Sequence, residues 1–300
     1  MDMNTLSPQF SICICNYNMA DTLEKSLSSI IDQIDDRFEI IVVDDGSNDG
    51  SLEKLEQLDE RHSFFHLIPL PRDRSRKLGL TRNISIENAC GEYVMLHLDC
   101  DDIIGPFLKD FAEVFLRIRA QKGSDFLLSG EHVNMAGRDF LLSKGPYRNL
   151  YRGEDRDLWS RLAGEESYLP FEHVDFIRRI PKTGYAKYRK AVFDTFDHMC
   201  NDFRTGVGCI EYLKLEFQKW GIWSWKLRVF RLAMVIPARI RSFFQSPLKN
   251  PEGKKSFEDF AQYRNRMKGT YSQLMERFGG NGDMGFLREE ARQIFDIDKT

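Results

Sequence analysis

The chain has 300 residues, 42% of them hydrophobic and 30% charged, which excludes a mainly disordered protein and supplies ample material for a core. Its net charge of −3 gives no global reason to expect nucleic acid as a partner. No apolar run approaches the roughly 18–20 residues that span a bilayer, and the start, MDMNTLSPQF, lacks the basic and apolar stretches of a secretion signal.

In chain order, residues 10–15 (FSICIC) form an apolar run suited to a buried strand. Asp21 with Glu24 three later predicts a capping box, followed by helical spacing at Leu23, Leu27, Ile30, Ile31 and Ile34. A second strand is expected over 38–43 (FEIIVV), a helix over 51–61, a third strand within 62–70, a helix over 80–90 and a fourth strand over 92–98. This alternation predicts a mainly parallel α/β sheet covered on both faces. Further on, a helix ends near 120, a strand lies near 125–129, a hairpin is expected through 133–142, and 153–162 reads as helix. From 211 onward the chain reads as helical, with 246–255 (SPLKNPEGKK) as linker and two last helices over 258–278 and 281–297. The six cysteines, at 13, 15, 90, 100, 200 and 209, form no CxxC pair and no zinc spacing, and are read as free thiols of a reducing cytosol.

Ligands of parallel sheets bind beyond the carboxyl ends of the strands. Three segments therefore stand out: Cys15-Asn16-Tyr17-Asn18, Asp44-Asp45-Gly46-Ser47 and Asp99-Cys100-Asp101-Asp102, which should share one sheet edge. A D-x-D at a strand end offers a hard divalent cation carboxylate oxygens while leaving room for phosphates, although Asp also simply favours turns. The DDGSNDGS loop could present a carboxylate to a base or ribose, or be a turn with Asp49 or Ser51 as helix cap. Arg72, Arg74, Arg76, Lys77 and Arg82 either meet a diphosphate or balance nearby acids, with Arg82-Asn83 the strongest candidates. The acids of GEDRDLWSRL suit a first helical turn by the helix dipole, or else position a general base.

Taken together and in order, VVDDGSNDGS, RNISIENACGEYVMLHLDCDD and GEDRDLWSRL, with ICNYN before them, resemble family 2 glycosyltransferases of the GT-A fold over about residues 8–165. The resemblance implies an inverting, divalent-cation-dependent (Mn2+ or Mg2+) enzyme acting on a UDP- or GDP-sugar. It assigns Asp45 and Asp44 to the base or ribose, and Asp101 to the metal. Asp99 would serve the donor and the metal, and Asp155 would be the general base. The backbone near Cys15 and Tyr17 would line the nucleobase pocket. Cys at 15 departs mildly from the family's usual Thr or Val. His173 reads as structural rather than as a further metal ligand. Alternatives are a nucleotidyltransferase, which would carry a glycine-rich basic loop where this chain has ICNYNMADT, and an inactive scaffold.

The implied division is a catalytic domain over 1–210, with a nucleotide-binding half at about 8–102 and an acceptor half at about 103–210, then a helical region over 211–300. Residues 217–251 carry seven Lys or Arg and no acid, together with Trp220, Trp223 and Trp225. A helix over 222–236, ended or kinked by Pro237, has Ser224, Arg228 and Arg231 in a polar stripe. A basic, tryptophan-rich amphipathic segment over 217–245 fits an in-plane anchor on an anionic membrane, or a protein contact such as a homo-oligomer interface. The expected setting is cytoplasmic, peripheral on the cytoplasmic membrane face, with a glycan or lipid-linked acceptor.

Overall fold

The computed structural model describes residues 7–180, 185–218, 225–248 and 256–297. Strand β1 (Phe10–Asn16), helix α1 (Leu23–Ile31), β2 (Phe38–Asp44), α2 (Ser51–Arg61), β3 (Phe65–Pro69), α3 (Leu78–Glu87) and β4 (Tyr93–Asp99) alternate as the periodicity predicts. Every residue of β1 and β2 is buried, because helices cover both faces of the sheet; this is why these strands read as unbroken apolar runs.

After β5 (Asp102–Ile104) and α4 (Leu108–Lys122) come β6 (Leu127–Ser129), β7 (Asn134–Gly137), α5 (Arg138–Ser143), α6 (Glu154–Gly164), β8 (Tyr168–Pro170) and β9 (Ile177–Arg179). Seven strands form one sheet in the order β3-β2-β1-β4-β7-β6-β8. β1 to β4 run parallel, and β7 enters antiparallel beside β4. β5 and β9 form a separate antiparallel ribbon.

One face of the sheet packs Ile12, Ile14, Ile40 and Val42 against Leu27, Phe111 and Phe115, and this core extends to Tyr271, Leu274 and Phe295 near the C-terminus. The other face packs Cys13, Ile41, Val94 and Leu96 against Ile86, Leu158, Leu162 and Phe260. The remaining helices are α7 (Tyr185–Arg204), α8 (Cys209–Gln218), α9 (Trp225–Phe243), α10 (Phe257–Met267), α11 (Tyr271–Arg277) and α12 (Glu289–Phe295). Met199, Cys200, Phe203, Tyr212, Val235 and Ala238 tie α7, α8 and α9 into a satellite core.

Several expectations need correction. Asp21 does not cap α1; the cap position is Thr22, whose hydroxyl donates to the carbonyls of Met19 and Cys100 instead. The hairpin expected through 133–142 exists only as β6 with β7, since the chain turns into α5 at Arg138. Pro237 does not end α9, which runs on to Phe243. The helix expected over 258–278 is split at Lys268-Gly269-Thr270, where Gly269 bridges to Phe171 and Thr270 opens α11 with a capping box. Of 281–297, only α12 is helical. Trp220, Trp223 and most of the linker segment lie outside the described residues. The six cysteines are unbridged.

Candidate active site

The parallel register sets the site's frame. Asn16 lies beside Asp44, and Cys15 beside Asp99, so the ends of β2, β1 and β4 share one edge. Asp44 is buried there and accepts hydrogen bonds from Asn16 Nδ2 at 2.7 Å, Ser47 N at 2.9 Å and Ser47 Oγ at 2.6 Å. Its oxygens hold the loop in shape. The Cys15 side chain is buried too, and burial pushes its thiol up to about 12, so its backbone is what it offers to the edge.

Asp45 is placed differently. It accepts from Arg72 Nη1 at 2.5 Å and Arg76 Nε at 2.6 Å. The Arg72 guanidinium lies 4.3 Å from the centre of the Tyr17 ring, which is 42% exposed. Tyr17, Arg72 and Asp45 therefore form a flat aromatic and cationic platform backed by a carboxylate. Gly46 makes the turn possible: its φ is +76°, and a Cβ there would lie 2.6 Å from Arg72 N.

At the end of β4, Asp99, Asp101 and Asp102 each offer a carboxylate oxygen, all within 4.8 Å of one another. Asp101 and Asp102 are buried. Two arginines meet the triad. The buried Arg82, from α3, lies 3.4 Å from Asp99 Oδ1 and 3.4 Å from Glu154 Oε1, linking β4 to α6. Arg179, on β9, lies 3.0 Å from Asp102 Oδ1, 3.3 Å from Asp99 Oδ2 and 3.6 Å from Asp101 Oδ1. A cationic group thus already sits among three hard oxygen donors, the donor set that suits Mg2+ or Mn2+. Asn83 does not face this cluster. Its side chain donates to the Tyr147 carbonyl at 2.8 Å and accepts from Tyr147 N at 2.9 Å, lacing α3 to the segment that leads into α6.

Asp155 stands in the first turn of α6, after Gly153 with its φ of +77°. His97 Nε2 is 3.1 Å from Asp155 Oδ2, and Arg156 N donates to Oδ1 at 2.6 Å. Burial would raise the Asp155 carboxyl, but His97 and Arg156 outweigh it and hold the group well below the usual carboxylate range. Its neighbour Glu154 is pushed the opposite way, up to about 7, by burial and by the Asp155 charge, against the pull of Arg82. Two adjacent carboxyls are thereby driven apart, the pattern seen where acid and base roles are divided.

The sequence reading did not single out His97, Glu154 and Arg179. A histidine interrupting the apolar run YVMLHL was the available signal for His97, and Glu154 stood beside a named acid. Arg179 had none, since it lies on a three-residue strand. His173 is buried among Phe111, Phe171, Phe176 and Phe295, and its Nε2 accepts from Glu131 N at 2.9 Å. It is a core histidine, as read from the sequence.

The sequence profile described as glycosyl transferase family 2 matches residues 11–121, the stretch that carries β1 to α4 and the acidic triad. Over that stretch the chain is similar to glycosyl transferase family 2. The cholesterol galactosyltransferase of Borreliella burgdorferi is 35% identical over 94 residues, 31% of this chain and 25% of that protein. The matched stretch spans less than half the length of such curated relatives. Among solved structures, the Pyrobaculum calidifontis mannosyltransferase PcManGT in complex with GDP-Man and Mn2+ superposes with a TM-score of 0.52 at 19% identity, covering 81% of this chain and 77% of that one. S. aureus TarS 1-349 in complex with UDP-GlcNAc gives a TM-score of 0.50 at 16% identity, covering 90% and 80%. The fold is GT-A, with a mainly parallel seven-stranded sheet and a helical C-terminal region.

Proposed function

We propose that this chain is a family 2 glycosyltransferase, divalent-cation-dependent and inverting, that moves a sugar from a UDP- or GDP-sugar to an acceptor hydroxyl. The observation that carries the reading is the joining of two carboxylate groups at one sheet edge. The triad runs from Asp99 at the end of β4 to Asp102 at the start of β5, and His97 of β4 meets Asp155 at the start of α6. The neighbour solved with GDP-Man and Mn2+, and the one solved with UDP-GlcNAc, support the class of donor and cation.

In this reading Tyr17, Arg72 and Asp45 receive the nucleoside, with residues 8–102 as the nucleotide-binding half and 103–210 as the acceptor half. Asp101 and Asp99 hold the cation, which would neutralise charge on the departing diphosphate. Arg82, buried beside Asp99, adds fixed positive charge. Asp155, kept ionised by His97 and Arg156, accepts the acceptor's hydroxyl proton as oxygen bonds to the anomeric carbon and the nucleoside diphosphate leaves. A single displacement inverts that carbon. The test is a panel of UDP- and GDP-sugars, assayed for hydrolysis and transfer with Mn2+ or Mg2+ and after chelation. Turnover of no donor with either ion would defeat the reading.

The acceptor belongs at a membrane surface in this proposal. Along α9, Val235, Ala238 and Ser242 are buried toward α7, whereas Val229, Ile236, Ile240 and Phe243 face out, with Phe244 just beyond. Ile236 and Phe243 are each 70% exposed. The surrounding 217–251 segment is wholly basic in its charges, which suits anionic lipid. Among the described residues no helix is long and apolar enough to cross a membrane, so the contact would lie in the plane of the surface. Flotation with phosphatidylglycerol vesicles should recover the protein, and Ile236→Glu with Phe243→Glu should release it. Equal flotation of wild type and variant, or a concentration-dependent dimer abolished by the same pair of changes, would give this face to another occupant.

A further inference from the structure

The acidic triad carries its own counter-ion. Asp102 of β5 pairs with Arg179 of β9, and Ile180 N donates to the Asp101 carbonyl at 2.7 Å. This ribbon fixes the backbone of residue 179 against the loop that holds the carboxylates. The guanidinium then reaches all three of them: Nε lies 3.0 Å from Asp102 and 3.6 Å from Asp101, and Nη2 lies 3.3 Å from Asp99. Its side chain is still 55% exposed. The backbone is therefore anchored while the head group remains free to leave.

We propose that Arg179 occupies the cation position of the triad in the empty protein, is displaced when a divalent ion binds, and then holds the diphosphate of the donor. This rests on the triad being the metal site of the proposed enzyme. Two cations cannot share the same oxygens at low cost, so the arriving ion must break the guanidinium's contacts. The released fork keeps a planar set of donors matched to phosphate oxygens. Because its backbone stays tied to Asp101 and Asp102, it remains beside any diphosphate that the cation binds. The arrangement makes metal binding weaker without donor and stronger with it, because the donor supplies Arg179 with a replacement partner.

The inference predicts effects of opposite sign from one substitution. Isothermal titration of Mn2+ alone into the nucleotide-free protein should show Arg179→Gln binding the ion about three- to tenfold more tightly than wild type, the scale expected for removing a half-exposed ion-pair partner. With Mn2+ saturating, UDP or GDP should bind the same variant about three- to tenfold more weakly. Arg179→Lys keeps the charge and loses the fork, so it should stay near wild type for Mn2+ and weaken the nucleotide. Unchanged or weaker Mn2+ binding by Arg179→Gln, with wild type binding normally, overturns displacement. Unchanged nucleotide binding overturns the diphosphate role. Asp101→Asn run alongside separates this from the parent reading. If wild type and Asp101→Asn bind Mn2+ alike, the triad is not the metal site, and the inference falls with it.

Discussion

His97 and Asp155, 58 residues apart in sequence, meet at 3.1 Å across the gap between β4 and α6. The backbone is bent to achieve this. His97 has a φ of +77°, which non-glycine residues rarely adopt. The pairing of β4 with β1 also slips there: Ile12 lies opposite Met95, but Ile14 lies opposite Leu98, so β4 carries one extra residue. The Trp159 ring closes edge-on against the imidazole, with centroids 5.6 Å apart.

That contact should matter for turnover more than for binding. His97→Leu is expected to lower kcat by about tenfold to a hundredfold, the range of a misplaced general base, while donor Kd changes little. His97→Gln, which can still donate toward Asp155, should recover part of the loss. A parallel fall in kcat and donor affinity would assign His97 to the folding of β4 rather than to Asp155.

Asp155 and Asp101 should separate cleanly in assays. Asp155→Asn removes the proposed proton acceptor and is expected to lower transfer by about a hundredfold or more, while UDP or GDP binding in Mn2+ survives. Asp101→Ala should weaken Mn2+-dependent nucleotide binding itself. Equal loss of both properties in Asp155→Asn, or an unchanged metal requirement in Asp101→Ala, would contradict the roles given to them.

Glu154 makes stability depend on pH. Its folded value lies above the ordinary glutamate value, so the stability linked to its protonated form is present at acidic pH. It is lost as pH rises from the ordinary glutamate range through about 7. Glu154→Gln cannot ionise and should lack this dependence. The wild-type Tm should therefore fall relative to the variant, by about 2–5 °C, between pH 5 and pH 8. Asp155 has the opposite sign: its depressed value means its contribution is kept above the ordinary aspartate range and lost only in strong acid. A wild-type Tm that gains on Glu154→Gln as pH rises would refute the burial argument.

Gly46→Ala should damage both fold and site. The added methyl would lie 2.6–2.9 Å from Arg72 N, Cα and Cβ, on a backbone with positive φ. Chemical denaturation should show a loss of about 1–3 kcal/mol. Because Arg72 would be pushed from Asp45 and Tyr17, nucleotide affinity should fall as well. Full affinity in a destabilised variant would show that the platform does not bind the nucleoside.

The legible part of this molecule was the part written in long periods. Strands of five to seven residues and helices of nine to eleven reveal themselves through repeated burial, so β1 to β4 and the acidic ends of β2 and β4 could be placed from the sequence. The ribbon of β5 and β9 could not: three residues give no alternation, and what brings Arg179 to the triad is pairing across some 77 positions. Pro237 does not end α9, because a proline inside a helix removes one hydrogen bond, a loss that packing of Val235 and Ala238 against α7 outweighs here. The break at Lys268-Gly269-Thr270 was hidden for a related reason, since the bridge of Gly269 to Phe171 is a long-range contact that local propensity cannot announce.

The two-way bond between Asn83 and the Tyr147 backbone has a last consequence. It braces the helix that carries Arg82 to the strut that delivers Asp155, while Arg82 itself touches Asp99 on one side and Glu154 on the other. In the proposed reaction these contacts brace the span from leaving group to proton acceptor. In that reading, discrimination among acceptors would fall to whatever presents the hydroxyl from outside, and a surface that sets the height of the incoming chain would do so by geometry.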